Sequence, residues 1–186
     1  MTTAGTPQTL AEQLTAAGVV LTPIHPDSVG APEVSVPIPD EWLPLEPSLV
    51  PGAYRVWAQP PADAVPWADN AVLLVGGLST GVDWSNIAGS AFTDSQKLPG
   101  WADIRTGSDP YRGFPSAAIT GTYTVDELML WAHTRYVLCE FGATQYLVQL
   151  TVTVRAERAN AAVQEICDGL TITDPAAESY RPFELS

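Results

Sequence analysis

The fold of this chain is decided by two neighbouring stretches, Leu128-Met-Leu-Trp-Ala-His-Thr-Arg-Tyr-Val-Leu-Cys-Glu-Phe141 and Tyr146-Leu-Val-Gln-Leu-Thr-Val-Thr-Val154. Both stretches are rich in β-branched and aromatic residues, which favour strands. The intervening Gly142-Ala143-Thr144 is short enough for the loop of a β-hairpin. The pattern therefore predicts two long antiparallel strands at the centre of a sheet.

Alternation within the second stretch predicts how the two strands pair. Its apolar side chains occupy alternate positions and point to one face, namely Tyr146, Val148, Leu150, Val152 and Val154. A three-residue loop would place Phe141 opposite Gln145. The first strand would then add its even-numbered residues to the apolar face and would direct His133 and Arg135 to the opposite, polar face. We expect this register because a slip of one residue would mix apolar and polar side chains.

Size and charge limit the classes of function. A chain of 186 residues with 46% hydrophobic content is long enough for one domain with its own core. The net charge of −13 disfavours nucleic acid as a partner, because phosphate backbones repel an acidic protein. No apolar run is long enough to span a bilayer, so we expect no membrane insertion. The start of the sequence lacks a signal-peptide pattern, which predicts a cytoplasmic location with Cys139 and Cys167 as buried thiols.

The remaining elements follow from caps and periodicity. Helices are predicted to begin at the capping box of Thr9 and Glu12, at the cap Asp83 and at about Ala156. Further strands are predicted over residues 33–39, 54–59, 70–75, 101–106 and 115–124. The domain is expected over residues 9–174, after a disordered N-terminus (1–8) and before a polar tail (175–186).

Several segments in order resemble the LpqN/LpqT family of actinobacterial lipoproteins. They include Gly30-Ala-Pro-Glu-Val-Ser-Val-Pro-Ile-Pro39, the helix that ends in Lys97-Leu-Pro-Gly-Trp101, Gly121-Thr-Tyr123 and the hairpin with its following helix. The resemblance implies an α+β, PsbP-like fold, an α/β/α sandwich in which helices flank an antiparallel sheet of about six strands. It also implies no enzymatic activity, and a link to the cell envelope and to hydrophobic ligands.

One motif suggests catalysis. Gly77-Leu-Ser-Thr-Gly81 fits the G-x-S-x-G pattern of a nucleophile elbow, and an order of Ser79, then Asp103 or Asp109, then His133 matches an α/β-hydrolase triad. The nearest helix cap, however, is Asp83 rather than the residue after the serine. The strands that follow also form an antiparallel meander instead of a parallel sheet. We therefore predict no catalytic residue and keep a serine hydrolase as an alternative.

A binding site is a better-supported candidate. In the predicted register Trp131, His133, Arg135, Gln149 and Thr151 share one face inside an apolar frame, which is typical of a small-ligand site. The alternative is an ordinary half-exposed sheet face. Trp67 in its loop is a candidate interaction surface, or else a plug over the sheet edge. His25 and His133 are far apart in sequence, and no metal site or cofactor is expected.

These observations predict a non-enzymatic binding or accessory domain. Its partner would be a hydrophobic, lipid-like small molecule or another protein. A cytoplasmic protein-interaction adaptor that has lost an envelope role is the alternative, and the Ser79 hydrolase is a second one.

Overall fold

The computed structural model describes residues 7–61 and 66–176. The disordered N-terminus and the polar tail expected from the sequence lie largely outside these ranges. Within them, none of the helices has the length and apolar character that a bilayer span requires.

Ten strands and four α-helices make up the described part of the chain. The strands are β1 (Leu21–Pro23), β2 (Glu33–Ser35), β3 (Leu43–Leu45), β4 (Ala53–Gln59), β5 (Asp69–Leu78), β6 (Ala102–Gly107), β7 (Ser116–Val125), β8 (Leu128–Phe141), β9 (Thr144–Arg155) and β10 (Thr171–Thr173). The helices are α1 (Leu10–Ala16), α2 (Trp84–Ile87), α3 (Thr93–Gln96) and α4 (Ala161–Asp168).

Eight of the strands form one antiparallel sheet in the order β3-β4-β5-β9-β8-β7-β6, with β1 also paired to β5. β2 and β10 form a separate two-stranded sheet. The α+β class with its antiparallel sheet is therefore confirmed, whereas the expected number of about six strands was too low. The short strands β1 and β3 account for the difference, because three residues carry too little periodicity to be recognised.

The β8–β9 register differs by one residue from the prediction. Phe141 pairs with Thr144, so the loop contains only Gly142 and Ala143. Gly142 has a φ of 62°, as the first position of a type II′ turn requires, and this makes the tighter loop possible. His133 consequently lies opposite Val152, and Arg135 lies opposite Leu150. The odd-numbered residues of β8 thus share a face with the apolar, even-numbered residues of β9.

Each face of the sheet carries its own core. On the α4 face, the even-numbered residues of β9 pack against Val163, Ile166 and Leu170. On the α1 face, Leu10 and Leu14 pack with residues that include Ile87, Leu138 and Leu147. Helices therefore cover both faces, although two of the predicted helices are shorter than expected.

Local capping and turn formation explain the shorter helices. The helix predicted from Asp83 to Leu98 is divided into α2 and α3 by a 3-10 turn over Ala88–Ser90, which contains Gly89. α4 begins only at Ala161, because the Asn160 side chain accepts a hydrogen bond from the backbone N–H of Val163.

A buried carboxylate fixes the start of β5. Asp69 is 1% exposed, and its Oδ1 accepts the backbone N–H of Arg155 at 2.9 Å. Its Oδ2 lies 3.0 Å from Nε of Arg158. The cost of burying this charge is offset by the ion pair and the hydrogen bond, which together tie the end of β9 to β5.

Candidate functional site

The observed register separates the five residues predicted to form one ligand site. Trp131, His133 and Arg135 lie on the α4 face, whereas Gln149 and Thr151 lie on the α1 face. The prediction of a shared face was therefore wrong, because it depended on a three-residue hairpin loop. Two separate hollows replace it, one on each face of the sheet.

His133 is an enclosed, uncharged side chain of the α4 face. Its Nδ1 lies 2.8 Å from Oγ1 of Thr120, and its ring stacks on that of Trp131 with a centroid distance of 6.3 Å. Nε2 is buried without a hydrogen-bond partner among the described residues. Burial, followed by the positive charge of Arg135, lowers the pKa of His133 to about 4. The imidazole is thus neutral at physiological pH.

Arg135 is held in place beside the end of α4. Its guanidinium lies 4.2 Å from the ring centroid of Tyr111, a cation–π contact, and 3.9 Å from a carboxylate oxygen of Asp168. The Tyr111 hydroxyl donates to the backbone carbonyls of Asp168 and Leu170 at 2.6 and 3.0 Å. Burial lowers the pKa of Arg135. These contacts leave the arginine little freedom to move.

A cavity of about 250 Å³ lies next to this arginine, and we call it the Arg135 cavity. Its lining residues come from β6, β7, β8, the end of α4 and the loop after β6, namely Arg105, Thr106, Gly107, Asp109, Ala118, Thr120, Arg135 and Asp168. The contributions of Arg105 and Thr120 could have been anticipated only with the correct strand pairing, which places them in line with His133.

The second hollow, on the α1 face, is mainly apolar, with Asp94 and Gln149 as polar residues of its lining, and we call it the Leu21 groove. It consists of three adjoining hollows of about 150, 390 and 60 Å³, all of which Leu21 lines. Leu147 and Gln149 line the hollows of about 150 and 60 Å³. Leu14 of α1 lines those of about 390 and 60 Å³. This groove was not predicted, because its walls come from distant parts of the chain.

Glycine makes room for Leu21 in the groove. A Cβ atom built on Gly76 would lie 2.5 Å from Cδ1 of Leu21, so the leucine side chain rests directly on the backbone of β5. The groove also has a polar margin, where Nε2 of Gln149 donates to Oγ1 of Thr151 at 3.3 Å. Of the predicted site residues, Gln149 therefore lines this groove, and Thr151 is its hydrogen-bond partner.

Ser79 forms hydrogen bonds at the end of β5, with no histidine nearby. Its Oγ accepts the backbone N–H of Val20 at 2.9 Å, and its own N–H donates to the Val20 carbonyl at 2.9 Å. Gly77 and Cys139 both pair with Tyr146, which places Ser79 near the Cys139 end of β8. His133 lies six residues away along β8, or about 20 Å at roughly 3.3 Å per residue. The serine–histidine pair of a hydrolase is therefore not assembled.

Trp67 is partly buried, and its indole Nε1 is enclosed without a hydrogen-bond partner among the described residues. The Trp67 ring is therefore not fully exposed, as a typical contact surface would require. A role of Trp67 in an interaction stays a prediction. Across residues 7–61 and 66–176, no group of three His, Cys, Asp or Glu side chains is close enough to hold a metal ion.

Comparison with known proteins places this architecture in a family. The model of the family Lpp-LpqN matches residues 6–173. The proline-rich 28 kDa antigen of Mycobacterium tuberculosis is 31% identical over 177 residues, which cover 94% of this chain and 57% of that protein. The chain thus spans little more than half the length of this relative. LpqT of the same organism, named as a lipoprotein, is 28% identical over 172 residues, which cover 90% of this chain and 72% of LpqT.

A solved structure shares the fold. The crystal structure of LpqN, described as involved in cell envelope biogenesis of Mycobacterium tuberculosis, superposes with a TM-score of 0.78 at 22% identity. The alignment covers 91% of this chain and 99% of that one. The chain therefore belongs to the Lpp-LpqN family, whose description is Probable lipoprotein LpqN.

Proposed function

We propose that this chain is a non-enzymatic binding domain that holds a hydrophobic, lipid-like small molecule in the Leu21 groove. The observation that carries the proposal is the shape of that groove, in which Leu21 separates two hollows that share Leu147 and Gln149 as walls. Leu21 is 41% exposed, so part of its side chain already faces solvent, and a bound ligand would displace the rest from Gly76. This displacement would join the hollows into one narrow apolar channel beneath α1.

A narrow channel suits an alkyl chain better than a compact ring system. Each buried methylene contributes about 0.8 kcal/mol, so roughly eight of them would contribute about 6 kcal/mol before the ordering costs of binding. That sum corresponds to an affinity of tens of micromolar or weaker. The Gln149 amide in the lining of the groove would accept a hydrogen bond from, or donate one to, a polar head group.

Titration with a fluorescent fatty-acid analogue tests the proposal. Leu21→Asp places a charge in the groove, and we expect it to weaken binding by about tenfold or more, because an apolar chain cannot pair with a carboxylate. Leu43→Asp is the matched control, since Leu43 is 51% exposed on another short edge strand and does not line the groove. Equal probe affinities for the two variants would refute the groove as the binding site.

A protein partner is a second candidate, supported by a different surface. Leu43, Leu45 and Leu49 are 51%, 40% and 67% exposed on and beside the edge strand β3. Neighbouring exposed leucines at a sheet edge are a feature of protein interfaces. If a protein partner binds this edge, Leu43→Asp should abolish its capture and leave binding of the fatty-acid analogue unchanged. Leu21→Asp should have the opposite effects, so the two variants distinguish the two functions.

The absence of catalysis is part of the proposal. It is supported by the hydrogen bonds that occupy Ser79 and by the distance of this residue from His133. Incubation with a serine-reactive fluorophosphonate is expected to leave the folded protein unlabelled. Labelling that Ser79→Ala removes would instead support the hydrolase.

We further propose a role at the cell envelope, by analogy with the envelope function in the description of LpqN and with the lipoprotein name of LpqT. The cytoplasmic location expected from the sequence stays a prediction. Fractionation of cells that express the complete gene product, followed by immunodetection, distinguishes the two locations.

A further inference from the structure

The Arg135 cavity is lined by two positive and two negative side chains, of which only one pair is in contact. Two guanidinium groups, from Arg105 and Arg135, line it together with the carboxylates of Asp109 and Asp168. Arg135 and Asp168 pair at 3.9 Å. The exposed side chains of Arg105 and Asp109, in contrast, form no hydrogen bond or ion pair with any residue in the described ranges 7–61 and 66–176. An unpaired cation and an unpaired anion thus line the same small cavity.

The strand pairing places these two charged residues at different levels along β6. Arg105 lies in the middle of β6 opposite Thr120, and Gly107 lies opposite Ala118 at the end of the strand. Asp109 follows two residues later, beyond the end of β6, and its carboxylate forms no ion pair with Arg105. The Arg135–Asp168 pair lies between them, beside Ala118. The cavity therefore has a positive end, a neutral middle and a negative end.

Thr120 adds a hydrogen-bond donor at the positive end. A buried N–H without a partner is rarer than a buried acceptor without one, which favours the tautomer of His133 with its proton on Nδ1. Nδ1–H then donates to Oγ1 of Thr120. The hydroxyl hydrogen of Thr120, which lines the cavity, is consequently free to donate to a bound molecule.

We propose that the Arg135 cavity binds a small zwitterion of amino-acid type, with its carboxylate on Arg105 and Thr120 and its ammonium group on Asp109. Such a molecule brings one charge to each unpaired side chain and leaves the central ion pair intact. A simple anion would satisfy Arg105 but would face the carboxylates of Asp109 and Asp168. A volume of about 250 Å³ lies just below the range of roughly 300–1,000 Å³ typical of drug-sized ligands, and so suits a small metabolite. The site is on the opposite face of the sheet from the Leu21 groove and does not depend on the ligand of that groove.

Calorimetric titration with a series of amino acids tests the proposal. The series runs from glycine through β-alanine and 4-aminobutyrate to 6-aminohexanoate, with acetate and propylamine as compounds that carry one charge each. We expect at least one zwitterion to bind in the millimolar range or better, and about tenfold or more tightly than either single-charge compound. Binding should weaken as salt is added, because the contacting side chains are partly exposed.

Single variants identify the side chains involved. Arg105→Gln and Asp109→Asn should each reduce the affinity for the best zwitterion by about tenfold, whereas Arg55→Gln, an exposed arginine on β4, should leave it unchanged. Both cavity variants change exposed residues and should fold, which circular dichroism checks. Acetate that binds as tightly as the zwitterion would overturn the proposal in favour of a plain anion site. Absence of measurable binding for every amino acid, or equal affinities in all three variants, would overturn it altogether.

Discussion

His133 should make the stability of this protein depend on pH in a defined window. The unfolded chain takes up a proton on this histidine near its ordinary pKa of 6.5, whereas the folded protein resists protonation until about pH 4. Between these values the unfolded state binds more protons than the folded state, so stability falls as the pH falls. The contribution of the neutral His133 to the free energy of unfolding is complete above pH 6.5 and is lost once the pH has fallen to about 4. Burial is the main cause, and the charge of Arg135 adds to it.

The size of the effect follows from the change in pKa. A pKa lowered from 6.5 to about 4 corresponds to roughly 3 kcal/mol of unfolding free energy, since each unit of pKa represents about 1.4 kcal/mol. For a domain of this size, 3 kcal/mol corresponds to about 6–12 °C in Tm. Because His133 is only 1% exposed, solvent screening does little to reduce this value.

Urea unfolding between pH 7 and about pH 4 measures the effect in the wild type and in the double variant His133→Phe/Thr120→Val. The second substitution removes the hydroxyl that would otherwise lose its partner. Any overpacking by phenylalanine is independent of pH, so the difference in slope between the two proteins isolates the histidine. His25→Gln, at an exposed position, is the control. Parallel pH profiles for the wild type and the double variant would refute the buried, neutral histidine.

Two further substitutions test the fold. Asp69→Asn removes the charge that pairs with Arg158 and is expected to destabilise the protein by about 3 kcal/mol in urea unfolding; a loss below about 1 kcal/mol would contradict a buried ion pair. Gly121→Ala would place a Cβ atom 2.6 Å from a backbone carbonyl of β6, and should lower Tm strongly. Gly107→Ala on β6, where no atom lies within 4 Å of the added Cβ, should leave Tm nearly unchanged, and similar melting temperatures would show that β6 and β7 do not pair as described.

The elements whose signals are local could be predicted from the sequence. The capping box of Thr9 and Glu12 and the cap at Asp83 are both confirmed. The hairpin and the strand predicted over residues 70–75 are confirmed as well. Each of these signals needs only a few consecutive residues, so tertiary contacts had little opportunity to override it.

The faces of β8 could not be predicted, because they depend on a single loop residue. Thr144 is compatible with a loop and with a strand, and its inclusion in β9 shifts the pairing by one position. That shift moves His133 and Arg135 from the expected polar face into the surroundings of α4. The candidate site was therefore divided between two faces by a choice that alternation alone does not settle.

The Leu21 groove depends on contacts between distant segments. Leu14, Leu21 and Leu147 come together only when β1 pairs with β5 and α1 packs over β9. One local signal was available, since adjacent glycines in a strand, Gly76 and Gly77, often mark a close approach by another segment. This glycine pair indicates that another segment packs closely on β5 but does not identify the segment that contains Leu21.

The most direct test of a hydrophobic ligand in the groove is to locate the ligand by NMR. In a complex with a short-chain fatty acid, we expect intermolecular nuclear Overhauser effects between the alkyl chain and the methyl groups of Leu21 and Leu147, which line the groove together. Contacts confined to the methyl groups of Leu43 and Leu45, or no intermolecular contacts at saturating ligand, would contradict the proposed site.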